Sequence, residues 1–147
     1  MKALILTVIV LAMLLPIALI AETYNIEGNW YNAEKTSKIS IYKTTSGHYA
    51  GKIIWLKEPN DATGNPKVDN KNPDKSLRTR PLLNLVIVKA LSPKGDNKYA
   101  DGTIYDPKSG NTYSSKAELT SANTMKLRGF IGVSLVGRTE VWTRATN

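Results

Sequence analysis

Short runs of β-branched, aliphatic and aromatic residues recur along the chain at fairly even spacing, separated by clusters of Gly, Pro, Asn and Asp. That rhythm predicts antiparallel strands joined by turns. The runs fall at residues 28–31, 38–44, 49–56, 82–91, 102–105, 112–119, 124–131 and 138–144, giving eight or nine strands. No long segment carries a helical period of apolar positions. Thr45-Ser46-Gly47, Ser92-Pro93-Lys94-Gly95-Asp96 and Asp106-Pro107-Lys108-Ser109-Gly110-Asn111 have the composition of hairpin loops, with Pro where φ is preset and Gly where φ can be positive. One stretch breaks the pattern. Residues 57–81 are polar, contain Pro59, Gly64, Pro66, Pro73 and Pro81, and offer no strand; loops of that length in compact domains are usually functional or disordered, so a functional loop is expected here. Strands that follow one another through short turns close most simply into an up-and-down barrel, which removes exposed sheet edges. The expected fold is therefore all-β, an antiparallel barrel of about eight strands.

The N-terminus has a different pattern. After Lys2, residues 3–20 are apolar except for Thr7, with Pro16 among them, and Ala21 precedes Glu22. This is the layout of a signal peptide over 1–21 followed by a domain over 22–147. Pro16 breaks the helix near the cut, and Ala21 supplies the small residue before it, although Leu19 stands where a smaller side chain is preferred. The alternative is an uncleaved anchor, since about eighteen apolar residues is near the minimum for a bilayer span. On the signal reading the protein is exported, periplasmic or secreted, with no stable membrane anchor after cleavage.

Composition narrows this further. The 147 residues include no cysteine, which excludes lipobox acylation, disulfides and thiol chemistry, so burial alone must hold a domain of about 126 residues together. The formal net charge is +8, or +7 once Lys2 leaves with the leader, a balance that attracts anionic surfaces and ligands.

Gly28-Asn29-Trp30 resembles the Gly-x-Trp signature of the first lipocalin strand. In that superfamily the tryptophan plugs the closed end of the barrel beneath an arginine from the last strand. The resemblance implies that role for Trp30 and Arg144, which would gain cation–π attraction and shield the ring from water. Across nearly the whole mature chain the sequence is also similar to an uncharacterised bacterial family of small exported proteins with a lipocalin-like fold. The similarity rests on Gly51-Lys52-Ile53-Ile54-Trp55-Leu56, Asp69-Asn70-Lys71-Asn72-Pro73 with Arg80-Pro81-Leu82, Gly102-Thr103-Ile104-Tyr105-Asp106-Pro107, Gly110-Asn111-Thr112-Tyr113, Leu127-Arg128-Gly129-Phe130-Ile131-Gly132 and Gly137-Arg138-Thr139-Glu140-Val141-Trp142-Thr143-Arg144. It departs from the family pattern at Asn84, where a glycine is usual and a bulge could be lost, and at Tyr99, where a tryptophan is usual. The family implies a barrel and brings no activity with it.

Candidate chemistry is sparse. Asp69, Asn72, Pro73 and Arg80 form the most specific polar constellation; they suit a structured loop, with Arg80 either paired to Asp69 or facing the barrel mouth to take a carboxylate or phosphate. Arg128 shares its strand face with Phe130 and is either an inward anion anchor or an ordinary solvated charge. Tyr42, Trp55, Tyr105 and Tyr113, with Tyr49, offer amphipathic rings for a pocket or for packing. His48 is the only histidine, which leaves no histidine-rich metal site; no metal and no cofactor are expected. Six aspartates and six glutamates leave carboxylate pairs possible for hydrolysis, such as Asp101 with Asp106, against simple turn capping.

The leading expectation is a non-catalytic carrier or sensor holding a small amphipathic or lipid-like molecule in the barrel, with an acidic head near Arg80 or Arg128. The alternative is a basic surface protein docking on anionic envelope components or a protein partner. Nucleic acid is disfavoured by the exported address.

Overall fold

The computed structural model describes residues 20–146; the expected leader 1–21 lies almost wholly outside them. Eight strands, β1 (Gly28–Tyr31), β2 (Ser37–Lys43), β3 (Tyr49–Leu56), β4 (Val86–Gly95), β5 (Lys98–Asp106), β6 (Asn111–Ser121), β7 (Thr124–Phe130) and β8 (Gly137–Arg144), follow one another around a closed barrel. Every neighbour is antiparallel, and β1 closes on β8 through Trp30 opposite Arg144 and Tyr31 opposite Thr143.

Two strands, β4 and β5, differ by several residues from the sequence reading. β4 begins at Val86 rather than at 82, and it runs on through Pro93 to Gly95. The β4–β5 turn is therefore only Asp96 and Asn97, both at positive φ (51° and 61°), the geometry of a two-residue hairpin that Asx residues accept more readily than other side chains. β5 accordingly starts at Lys98, four residues before the expected 102. Asn84 belongs to the loop before β4 and sits at φ 68°, its N–H donating to the Ile53 carbonyl. This is a left-handed position, and asparagine is among the few residues besides glycine that tolerate one.

The long loop, residues 57–85, contains no strand, but it is ordered by the bridges Asn60–Pro66 and Val68–Pro81 and a short 3-10 turn, Lys75–Leu77. Asp74 caps that turn by accepting from the Ser76 N–H. At Lys71 the loop backbone lies so close to Gly110 in the β5–β6 turn that any side chain there would collide with the Lys71 carbonyl.

Alternation along the strands sorts the core. Ile39 and Ile41, Ala117 and Leu119, and Met125 and Leu127 point inward, two apart on each strand. One end of the barrel is solid. Ile26, Trp30, Leu91, Met125 and Val88 are completely buried there. Trp30 donates to the Ile26 carbonyl at 2.9 Å, and the Arg144 guanidinium lies 4.1 Å from the indole centroid. Its three nitrogens donate to the carbonyls of Ala122, Glu27 and Asn25, tying the segment before β1 and the β6–β7 turn over the plug. Burial lowers the pKa of Arg144 from its ordinary value.

Candidate functional site: a cavity open at one end of the barrel

The other end is hollow. A cavity of about 560 Å³ occupies it, a size ordinary for small-molecule sites. Its walls are aliphatic, chiefly Ile39, Ile53, Ile87, Ile104 and Leu127, with Trp142 among them. The mouth is ringed by the β1–β2 turn, the end of the long loop at Leu82, the β5–β6 turn and the β7–β8 loop. A shallower depression at the opposite end, bounded by Gly28, Asn123 and Arg144, lies outside the plug.

Polar groups enter the cavity in two places. Inward positions of β8 descend the wall as Arg138, Glu140 and Trp142: the Arg138 guanidinium stands 3.6 Å from Glu140 Oε1, and Glu140 Oε2 accepts from Trp142 Nε1 at 3.2 Å. At the rim, Lys108 of the β5–β6 turn donates to Glu34 of the β1–β2 turn at 2.7 Å. These two turns lie on opposite sides of an eight-membered ring, so the ion pair spans the mouth. Hydrogen bonding and charge from Lys108 hold the Glu34 carboxyl below the usual carboxylate range.

Of the side chains named from sequence as ligand contacts, Tyr113 lines this cavity; Arg80, Arg128, Tyr42, Trp55 and Tyr105 do not. Each has a physical reason. Trp55 is two residues from the inward Ile53 and would share its face, but the β2–β3 register shifts between Lys38 and Ile39, where Lys38 pairs with Trp55 and Ile39 with Ile53. The extra residue turns Trp55 outward, where it meets Tyr31 edge-on with centroids 6.0 Å apart, and Lys38 Nζ lies over both rings. Tyr42 follows the inward Ile41 and so faces out, beneath Lys52. Arg128 is between the inward Met125–Leu127 phase and the exterior, and its guanidinium donates to the carbonyls of Ser134 and Leu135 and to Thr139 Oγ1. It holds the β7–β8 loop and offers no free fork to an anion.

Arg80 and Tyr105 meet on the outside of the barrel, beneath the long loop. Asp69, fully buried, accepts from the Tyr105 hydroxyl at 2.5 Å, from Asn72 Nδ2 at 2.8 Å, and from Arg80 Nε and Nη2 at 2.9 and 2.8 Å. Burial alone would raise the Asp69 carboxyl, but the bonds from Tyr105, Asn72 and Arg80, together with the Arg80 charge, outweigh it and leave it lowered. Burial and the bond to Asp69 push Tyr105 up to about 12. Exposed Pro73 follows Asn72 in the same turn, and Asn72 Oδ1 accepts from the Asp74 N–H. The constellation thus clamps the loop to β5.

Asp101 and Asp106 are engaged separately, Asp101 by Lys94 at 2.5 Å and Asp106 by Ser109 and the Lys108 N–H. His48 Nδ1 is 2.9 Å from Ser92 Oγ at the closed end. Sequence reading missed Arg138, Glu140 and Lys108. The first two lie at two-residue spacing before Trp142 in a strand whose inward phase Trp142 already sets, which was the available signal; nothing local marks Lys108.

The family described as "Uncharacterized protein conserved in bacteria" (DUF2147) matches residues 28–144. No curated protein matches the chain in sequence. Among solved structures, protein HP1028 from Helicobacter pylori, described as belonging to the lipocalin family, superposes with a TM-score of 0.74 at 22% identity, over 85% of this chain and 86% of that one.

Proposed function

Because this chain belongs to the DUF2147 family and folds as a lipocalin-like barrel, we propose that it is a non-catalytic carrier or sensor for a small amphipathic or lipid-like molecule, exported to the bacterial envelope or exterior. The observation that carries this reading is the cavity itself: about 560 Å³, walled by aliphatic side chains, sealed at one end by Trp30 and Arg144 and open at the other. Each methylene moved from water into such a space contributes roughly 0.8 kcal/mol, so a chain of about ten carbons is needed to reach roughly the 8 kcal/mol of micromolar affinity. The head group then sits at the polar wall and rim. Arg80 is paired with Asp69 on the outside of the barrel and Arg128 is turned to the carbonyls of the β7–β8 loop, both away from the cavity lining, so an acidic head in the cavity does not meet them. Arg138 with Glu140, and Lys108 with Glu34, present donors and acceptors together, which suits a head that both donates and accepts, neutral or zwitterionic.

Native mass spectrometry of freshly purified protein tests the proposal. A retained or exchangeable lipid-like mass is expected, and Ile104→Trp, which fills the cavity from its wall, should abolish it while the barrel stays folded. A wild-type barrel that never takes up such molecules overturns the carrier reading.

A further inference from the structure

The β7–β8 loop carries an unusual surface. Ile131, Val133, Leu135 and Val136 are 67%, 63%, 91% and 61% exposed, four aliphatic side chains in six residues at the rim of the open end. The loop does not fold them away. The Val136 N–H closes a turn on the Val133 carbonyl, the Ile131 N–H bonds the Val136 carbonyl, and Arg128 grips the carbonyls of Ser134 and Leu135 from below. The tip is held outward. Across the mouth, Leu83 in the long loop is 47% exposed beside the cavity-lining Leu82. Ile131 and Val136 also belong to the cavity wall, so the apolar tip and the apolar interior are continuous.

Charge is divided along the same axis. The connections at the open end, residues 32–36, 57–85, 107–110 and 131–136, hold eight Lys or Arg against five Asp or Glu. Those at the closed end, residues 20–27, 44–48, 96–97 and 121–123, hold Glu22, Glu27 and Asp96 and no Lys or Arg. At the closed end Lys43, Lys94, Lys98 and Arg144 on the adjoining strand ends offset those acids and Asp101, whereas at the open end Lys38 and Arg138 add to the basic excess of the loops. The mouth is therefore the more basic end and the one favoured by a negatively charged surface.

We infer that the protein docks mouth-first on anionic lipid bilayers, with the 131–136 tip inserted among the acyl chains near the headgroups and the basic loops resting on the lipid phosphates. Docked in this way, the cavity opens onto the membrane. Only the step of drawing a ligand from the bilayer rests on the carrier reading; the docking does not.

The test uses full-length protein expressed with its own leader and purified as the cell matures it, with the intact mass recording the N-terminus. Co-flotation with phosphatidylglycerol-containing vesicles and with pure phosphatidylcholine vesicles is compared for wild type, Val133→Ser/Leu135→Ser and Lys71→Glu/Lys75→Glu. Wild type should float with the anionic vesicles only, and each double variant should lose at least about tenfold in partitioning. Val133 and Leu135 do not line the cavity, so native mass spectra of that variant should show unchanged ligand retention. No flotation, equal flotation of the tip variant, or binding to both vesicle types overturns docking. Loss of retained ligand with flotation unchanged makes the loop a lid, and a dimer abolished by the tip substitutions makes a second copy the occupant; either result also overturns it. An empty cavity with normal flotation would remove the carrier function and leave the docking.

Discussion

Asn84 shows how one residue can be misread and then explained. In the sequence it stands among apolar residues that look like strand. In the structure it holds a left-handed φ of 68° ahead of β4. Asn84→Gly should therefore be close to neutral, whereas Asn84→Val should cost roughly 1–2 kcal/mol in chemical denaturation. Ser115 is the opposite case: its hydroxyl is buried without a hydrogen-bond partner among the described residues. Replacing it by alanine removes an unpaired polar group, so Ser115→Ala should be neutral or stabilising by up to about 1 kcal/mol in the same measurement. At Arg144 the guanidinium combines ring contact with three carbonyl bonds. Arg144→Lys keeps the charge and loses the planar fork, and a loss of about 2–3 kcal/mol is expected for it. The lipocalin resemblance made Trp30 and Arg144 legible together because both stand in short motifs at the two ends of the domain. The rest of the arginine's work, the carbonyls of Asn25, Glu27 and Ala122, has no sequence signal, because any residue supplies a carbonyl.

At the scale of elements, strands were legible and their phases were not. Six of the eight strands fall within two residues of the runs of β-type residues, since turns such as those at Gly47 and Gly110 punctuate them clearly. In the sequence Trp55 is open between pocket and packing, and its outward face is not legible because a bulge inserts one residue into a period of two and leaves no mark in composition. The long loop was recognised from its prolines and its Asp69–Arg80 constellation, but its function as a clamp on the outside of β5 depends on Tyr105, thirty-six positions from Asp69. That clamp should have two pH limits. Asp69 is lowered from 3.8, so its contribution is complete above the ordinary carboxylate value and is lost as pH falls below it through the still lower folded value. Tyr105 is raised from 10.0 to about 12, so its contribution is complete below 10 and is lost as pH rises towards 12. Protection factors for hydrogen exchange at the Asp69 and Leu82 amides, which bond within the loop, should fall outside this window. In Tyr105→Phe the acidic limit should move upward, because Asp69 loses a donor.

For the whole molecule, half of the barrel is packed and half is hollow, a division that strand patterns cannot disclose because inward aliphatic residues line a cavity and fill a core equally well. The division is made by the large groups at one end: Trp30, Met125 and Leu91 are fully buried in one cluster there, while Ile39, Ile53 and Ile104 line open space. The Lys108–Glu34 pair then crosses that space at the rim. Being exposed, it should add little to stability, so Lys108→Ala should leave the denaturation midpoint almost unchanged. As an obstacle at the mouth it should nevertheless govern kinetics: stopped-flow uptake of a fluorescent amphiphile is expected to be faster in Lys108→Ala and at high salt, with the two effects not additive. The seal at the other end fixes a direction. Arg144 fastens the carbonyls of Asn25 and Glu27 over the plug, so the chain arrives at the domain on the side remote from the cavity. If residues 1–21 are the expected leader and hold the chain to a membrane before cleavage, the barrel turns its back on that membrane, and mouth-first docking requires their removal first.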